Sequence, residues 1–262
     1  MFSVEFLNEI RSHELEQYLA HFPKGSHILE IGGGTGVQAK LIADLGYSIE
    51  SIDVEQSVYI DDKVYPVKLY DGETIPFPDG SFDVIFSSNV LEHIPHINEF
   101  EGEMARVLKK DGVCIHAMPT GAWTFWTMIT HYLNILQQLG RSISAERYVH
   151  PTNTEVQTAG NQSRFLRRLR IPPRLAVSAV RVLWHTVKSN RGALLPNRHG
   201  GAGNVLTELH TFSAIAWKRH FRQCHYEIVS AEPMGLFYTG YMFFGAQWPL
   251  KSRERWSRFL GS

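Results

Sequence analysis

A cluster of glycines lies between a short apolar segment and a helical pattern, and it limits the fold that this chain can adopt. Residues 27–31 predict a buried strand, and Gly32, Gly33, Gly34 and Gly36 follow it directly. Glycine lets the backbone turn sharply and lets a ligand approach the main chain closely. We therefore expect a strand–loop–helix unit whose loop lies at the carboxyl end of a strand, where open α/β sheets bind ligands.

Short apolar segments alternate with helical patterns before Pro119. The predicted strands in this part cover 27–31, 47–52, 64–69, 82–87 and 113–118. Two further strands are predicted later in the chain, at 226–231 and 236–244. Such alternation is typical of a sheet with helices on both faces. The expected fold class is α/β, a doubly wound and mostly parallel seven-stranded Rossmann-like sheet.

The alternation breaks after Pro119, and the charge changes with it. Residues 1–120 hold 8 Lys and Arg against 20 Asp and Glu, whereas the rest of the chain holds 18 against 6. We predict a ligand-binding half of the core over 1–120, a helical and basic substrate-side insertion or lid over 121–206, and a completion of the sheet with a tail over 207–262. Either the basic part meets an anionic partner, or the two parts neutralise each other.

A narrow basic stripe on an otherwise apolar helix is predicted over 174–188. Arg174, Arg181 and Lys188 are spaced by seven residues, so they share one side of a straight helix. The stripe either faces anionic lipid head groups or packs within the insertion with its charges toward an anionic substrate. Without a signal peptide or a long apolar stretch, we expect a cytoplasmic protein, with peripheral membrane contact through 174–188 as an open alternative.

Composition and residue spacing also bear on three other ligand classes, namely metals, nucleic acids and dinucleotides. The two cysteines, Cys114 and Cys224, have no partners at metal-ligand spacing, so no metal site is predicted. No nucleic-acid-binding module is recognised, so no nucleic acid partner is expected. The loop also satisfies the looser dinucleotide fingerprint G-x-G-x-x-A over 34–39, and Asp53 would accept hydrogen bonds from ribose hydroxyls in either case.

The motifs and their order resemble one family. They are Glu30-x-Gly32-x-Gly34-x-Gly36, Asp53, Asp71-Gly72 followed by Ile75-Pro76-Phe77-Pro78-Asp79-Gly80-Ser81-Phe82-Asp83, Val90-Leu91-Glu92-His93-Ile94, and the turn Lys109-Lys110-Asp111-Gly112. Together they resemble class I S-adenosylmethionine-dependent methyltransferases of the ubiquinone/menaquinone-biosynthesis type. The resemblance covers roughly residues 24–120 and resumes around 207–244. A further resemblance concerns the C-terminal part of the chain, from the glycine loop at 200–203 to Gly235-Leu236-Phe237-Tyr238-Thr239-Gly240-Tyr241. This part is similar to bacterial methyltransferases associated with cell-surface polysaccharide synthesis.

The resemblance implies a site for S-adenosyl-L-methionine. Its residues would be Glu30, Gly32, Gly34, Gly36, Asp53, Asp71, Gly72, Asn89 and Val90. Glu30 and the backbone at Gly32, Gly34 and Gly36 would hold the methionine part. Asp53 would pair with the ribose hydroxyls. Asp71 and Gly72 would meet the adenine, and Asn89 and Val90 would lie under the sulfonium methyl. The segment 54–66 departs from the family because it lacks the usual long helix.

The acceptor is expected to be a small molecule. Arginine suits phosphate and carboxylate groups, so the basic insertion favours an oxygen of an anionic or lipid-linked sugar. A quinone-like or natural-product phenol is the alternative, with the aromatic helix 122–139 as the pocket wall. A hydroxyl acceptor would need a base, for which His210 and His93 are the candidates. From other classes, a nicotinamide-dependent oxidoreductase or a non-catalytic methyltransferase-like binding module stays open.

Overall fold

The computed structural model describes residues 4–55, 63–148, 196, 198–201, 203–240 and 247–260. The chain divides into two compact units, one of residues 1–126 with 198–262 and the other of residues 127–197. The sheet and every element described below belong to the first unit, except for most of one long helix that continues into the second.

A five-stranded parallel sheet forms the centre of the first unit. Its strands are β1 (His27–Ile31), β2 (Ser48–Val54), β3 (Lys68–Tyr70), β4 (Phe82–Ser88) and β5 (Leu108–Ala117), in the order β3-β2-β1-β4-β5. All four neighbouring pairs are parallel. The order changes direction between β1 and β4, which is the point where such sheets bind ligands. The parallel α/β sheet that the alternation predicts is thereby confirmed.

The helices lie before, between and after the strands. They are α1 (Val4–Leu19), α2 (Val37–Asp44), α3 (Ile97–Val107), α4 (Gly121–Tyr148), α5 (Val205–Thr211), α6 (Ala214–Gln223) and α7 (Leu250–Leu260), with a 3₁₀ turn at Leu91–His93. α5 and α6 are separate helices, because Phe212 and Ser213 lie between them.

Successive strand residues supply the cores on the two faces of the sheet. Ile28 packs with residues of α1 and α2 on one face. Leu29 and Ile31 pack with residues of α3 on the other. Because side chains alternate along a strand, strands with both faces covered are apolar almost throughout. This explains why the strand segments could be recognised as short apolar runs.

The strand β5 begins earlier than the sequence pattern indicates. Leu108 pairs with Phe82, but the next pair is Val113 with Val84, so residues 109–112 bulge out of the ladder. This bulge is the predicted turn ending at Gly112. A β-carbon at Gly112 would lie 2.7 Å from the Leu108 side chain, which favours glycine there.

The expected sixth and seventh strands are not confirmed. Residues 226–240 are described and contain no strand, and 241–246 lie outside the described residues. Val229 is 88% exposed, whereas Tyr226 and Ile228 are half-buried. Leu236 nevertheless packs against Phe6 and Ile10 of α1. This segment therefore adds to the core through side-chain packing, without joining the ladder.

The basic part of the insertion lies outside the described residues, including the stripe at 174–188 and the arginines at 164–170. Among the helices that the structure describes, none is both long and apolar enough to cross a membrane. The three-part domain division remains a prediction.

Candidate functional site

A cavity of about 850 Å³ lies at the carboxyl ends of β1, β2 and β4, all within the first unit. Of the predicted cofactor residues, its wall contains Gly32, Gly34, Asp53, Asp71, Gly72, Asn89 and Val90. A cavity of this size is in the range of small-molecule and cofactor sites. The fold thus brings together seven residues that are scattered over the first third of the sequence.

The glycine loop owes its shape to left-handed backbone conformations. Gly32, Gly34 and Gly36 have φ values of 76°, 55° and 77°, which side chains strongly disfavour. A β-carbon on Gly32 would also overlap the side chain of Val90. Gly36 caps the start of α2 and packs against Tyr65, and it does not line the cavity. Its role is to let α2 begin close to the segment after β2.

Glu30 lies beneath the loop and does not line the cavity. Its side chain is buried and accepts a hydrogen bond from the Ser51 hydroxyl at 2.6 Å. Burial raises the pKa of Glu30 to about 7. A β-carbon on Gly33 would overlap the Ser51 hydroxyl, so the loop lies directly on this pair. In this structure Glu30 supports the loop from below.

Asp53 connects the end of β2 to the glycine loop. Its Oδ2 accepts a hydrogen bond from the Gly34 N–H at 2.8 Å, and its Oδ1 accepts one from the Val54 N–H at 2.8 Å. These bonds orient the carboxylate at the cavity wall. Carboxylate oxygens have two acceptor sites each, so both keep capacity for ligand hydroxyl groups.

Asp71 stands on the same wall, after β3. Its Oδ1 accepts hydrogen bonds from the N–H groups of Glu73 and Thr74, at 2.8 Å each. These backbone hydrogen bonds lower the pKa of Asp71, so the side chain stays ionised and shapes the turn. Gly72 follows with a φ of 84°, which this turn requires.

Arg11 of α1 reaches the cavity wall, and the sequence analysis did not identify it as a site residue. When the Asn89 amide is oriented with its oxygen toward the guanidinium, that oxygen lies 2.6 Å from Nη1. Arg11 also pairs with Glu14, a buried acid that accepts a hydrogen bond from the Tyr238 hydroxyl. Burial disfavours the Arg11 charge, but the Glu14 charge outweighs it and raises the pKa of Arg11.

A sequence signal for Arg11 existed. Apart from histidines, Arg11 is the only basic residue before Lys24. It lies four residues after Leu7 and four residues before Leu15, so all three share one side of the helix. A charged residue on the apolar stripe of an amphipathic helix is unusual unless it is paired or faces a cavity.

The histidines occupy different positions. His93 lies on the 3₁₀ turn at the cavity wall, as does His199 from the distant segment before α5. Partial burial and the neighbouring His199 lower the pKa of His93, although Glu92 acts in the opposite direction. His210 is exposed on α5 and does not line the cavity. Of the two candidate bases, only His93 is therefore near the expected reaction site.

Known proteins match the part of the chain that forms this site. Residues 29–116 match the model of the methyltransferase domain family. A probable S-adenosylmethionine-dependent methyltransferase of Mycolicibacterium smegmatis is 35% identical over 114 residues, which is 42% of this chain and 44% of that protein. An uncharacterized methyltransferase of Mycobacterium sp. (strain JLS) is 30% identical over 132 residues, or 48% of this chain and 50% of that one. The chain thus spans about half the length of the curated relatives it matches.

A solved structure of an S-adenosylmethionine dependent methyltransferase from Mesorhizobium loti superposes with a TM-score of 0.37 at 18% identity, over 43% of this chain and 55% of that chain.

The family match runs from β1 into β5 and includes the glycine loop, Asp53, Asp71 and the turn at 89–93. Residues 29–116 are therefore similar to an S-adenosylmethionine-dependent methyltransferase domain, and the cofactor that this similarity implies is S-adenosylmethionine.

Proposed function

We propose that this protein is an S-adenosylmethionine-dependent methyltransferase that acts on a small acceptor. The observation that carries the proposal is that the segment matching the methyltransferase domain, 29–116, supplies most of the wall of the 850 Å³ cavity. The ubiquinone/menaquinone-type and polysaccharide-associated subtypes are narrower proposals, and they rest on the sequence resemblance alone.

We assign the residues of the cavity wall to the parts of the cofactor in the order that the resemblance implies. The backbone at Gly32 and Gly34 would hold the methionine part, and Asp53 would accept hydrogen bonds from the ribose hydroxyls. Asp71 and Gly72 would lie beside the adenine. Asn89 and Val90, where β4 ends, would lie near the sulfonium. Glu30 and Gly36 would act through the loop that they shape, since neither lines the cavity.

When bound, the cofactor supplies a methyl group that is already activated by its sulfonium. The protein must therefore mainly align the acceptor and exclude water, and good orientation can lower a barrier by roughly 7–11 kcal/mol. α1 contributes Leu7, Asn8 and Arg11 to the cavity wall. If the acceptor is a hydroxyl whose pKa stays high, its transfer needs a base, and His93 on the cavity wall would be that base.

The acceptor class is the part of the proposal that depends on the second half of the sequence. An oxygen of an anionic or lipid-linked sugar is favoured by the arginine-rich stretch before residue 199. A phenol is the second candidate, favoured by the aromatic residues Trp123, Phe125 and Trp126 at the start of α4. A cytoplasmic location, with or without membrane contact, belongs to the same proposal.

Calorimetric titration tests the proposal directly. The protein should bind S-adenosylhomocysteine with micromolar affinity and should not bind NADH measurably. Transfer of label from S-adenosylmethionine to a panel of phosphorylated sugars and phenols then tests turnover and acceptor class. Binding of NADH without S-adenosylhomocysteine would instead support the oxidoreductase alternative. Cofactor binding with no transfer to any acceptor would favour the non-catalytic module.

A further inference from the structure

Three potential metal-ligand side chains converge at one end of the cavity. The Glu92 Oε1 atom lies 3.4 Å from His199 Nε2 and 3.7 Å from His93 Nε2. One ligand atom from each of the three residues can be chosen so that all lie within 4.8 Å of one another. Both histidines line the cavity, whereas the carboxylate lies behind them with its side chain fully buried.

The Glu92 carboxylate lacks hydrogen-bond donors in the part of the chain that the structure describes. Neither of its oxygens has a hydrogen-bond partner there, and the whole residue is 7% exposed. A buried carboxylate without hydrogen bonds is costly unless a cation compensates it. The two imidazoles contribute a positive charge only when they are protonated. Unprotonated, they instead offer nitrogen lone pairs beside the carboxylate, which is the arrangement that a metal ion requires.

The backbone around His199 is held in place by specific contacts. Glu208, a buried acid of α5, accepts hydrogen bonds from the N–H groups of His199 and Gly200 at 2.7 Å each. The Gly201 N–H donates to the Glu92 carbonyl oxygen at 2.8 Å. A β-carbon on Gly200 would lie 2.9 Å from that same oxygen, so glycine permits the close approach. His199 is thus fixed against Glu92 although the two residues are far apart in the sequence.

Aromatic packing restricts both imidazole rings as well. The His93 and His199 rings lie with centroids 4.7 Å apart in an edge-on arrangement. The Trp123 ring lies 4.7 Å from His199 on another side. Ligands held by such supporting contacts lose little freedom when they bind an ion.

We propose that Glu92, His93 and His199 bind one divalent transition-metal ion of the Zn²⁺ class at the wall of the cavity. Two histidines and one carboxylate form a known ligand set for open zinc sites and for non-haem iron. Ligands at the usual bond lengths in tetrahedral geometry lie about 3.4 Å apart. The two Glu92 distances, 3.4 and 3.7 Å, lie at or slightly above that value. Modest side-chain rotation would bring the third pair into range.

If the proposed methyltransferase function holds, the ion would also take part in catalysis by binding the acceptor. Because both histidines line the cavity, the remaining coordination positions would face it and could hold an acceptor oxygen. A divalent ion lowers the pKa of a hydroxyl bound to it. The acceptor could then lose its proton to solvent without a side-chain base, and His93 would be a ligand instead of a base.

The experiment is a calorimetric titration of chelator-treated protein with zinc chloride, performed on the full chain. The wild type should bind one ion per chain at this site. Glu92→Gln, His93→Ala and His199→Ala should each weaken binding on the order of 100-fold or more, since each removes a ligand. His210→Ala is the matched control, because it removes an exposed histidine outside the cavity and should leave zinc affinity unchanged. His93→Ala is the variant least prone to misfold, since its side chain is 45% exposed.

The outcomes separate this inference from the proposed function. Absence of zinc binding by the wild type, or equal affinity in wild type and His93→Ala, would overturn the metal site. A titration of the same samples with S-adenosylhomocysteine tests the cofactor pocket independently, because no ligand of the metal belongs to the glycine loop or to Asp53. Zinc binding in the wild type, lost in the three variants and retained in His210→Ala, would support the site whether or not methyl transfer is observed.

Discussion

Replacing Glu30 with glutamine should remove a pH-dependent loss of stability. Burial raises the pKa of Glu30 to about 7 in the folded protein, from an ordinary value of 4.5. Between these values the folded protein binds more protons than the unfolded chain. The free energy of unfolding therefore falls as the pH rises through this window, and below 4.5 the residue contributes nothing. The two pKa values differ by an amount equivalent to roughly 3 kcal/mol, which is the full cost above pH 7.

The glutamine variant keeps the shape and the acceptor while it removes the charge. Its side-chain oxygen can still accept the hydrogen bond that the Ser51 hydroxyl donates at 2.6 Å. The measurement is urea unfolding of both proteins at about pH 4.5 and about pH 8. Glu30→Gln should match the wild type at the lower pH and exceed its stability by roughly 3 kcal/mol at the higher one.

Glu50→Gln provides the matched control. Glu50 is an exposed glutamate on the adjacent strand β2, where it pairs in register with Leu29. Its replacement removes the same charge without changing a buried group. If Glu30→Gln and the wild type lose stability equally between the two pH values, the pKa of Glu30 is not raised in the folded protein. An equal gain in Glu50→Gln would assign the effect to net charge.

Three further changes test the site and the insertion. Asp53→Ala should weaken S-adenosylhomocysteine binding by at least roughly 10-fold, since each charge-assisted hydrogen bond is worth about 1.5–3 kcal/mol, and calorimetry measures this loss. Gly34→Val should abolish that binding, because a β-branched residue is disfavoured at a φ of 55° and its side chain would enter the cavity. Changing the basic stripe to glutamine (Arg174, Arg181 and Lys188) should abolish low-salt sedimentation with anionic vesicles if the helix contacts membranes.

A control variant and the results that would contradict these three predictions are as follows. Asp44→Ala removes an exposed acid of α2 that pairs with Lys40, and it should leave cofactor affinity unchanged. Wild-type affinity in Asp53→Ala would mean that the end of β2 is not at the ribose. Unchanged affinity in Gly34→Val would mean that the loop does not hold the ligand. If the wild type does not sediment with anionic vesicles at low salt, the basic stripe does not bind membranes.

The parallel sheet and the position of the glycine loop could both be predicted from local sequence patterns. Strands β1 and β4 are buried on both faces, so their apolar runs stand out without knowledge of their partners. The ligand-facing acids Asp53 and Asp71 follow predicted strands, and strand ends in such a sheet meet at one edge. These features are local, because burial and backbone conformation leave a periodic or compositional mark within one segment.

The neighbours of those residues could not be predicted, because they depend on how the elements pack together. Glu30 resembles a ligand-binding acid in sequence, yet it pairs with Ser51 beneath the loop. The apolar residues of 226–231 suggest a strand, but Val229 is exposed and no ladder forms there. A period-two pattern reports which residues could be buried together. Whether a segment joins the sheet depends on a partner strand that the pattern does not specify.

The contacts made by α1, by the turn at 91–93 and by the segment at 198–201 show most clearly what the sequence does not reveal. Arg11 reaches Asn89, and His199 reaches Glu92, across long stretches of chain. No spacing in the sequence encodes such pairs, because the distance between two residues in space is set by how the intervening elements pack. Local patterns thus determine which elements form, whereas contacts between remote elements determine what the cavity can bind.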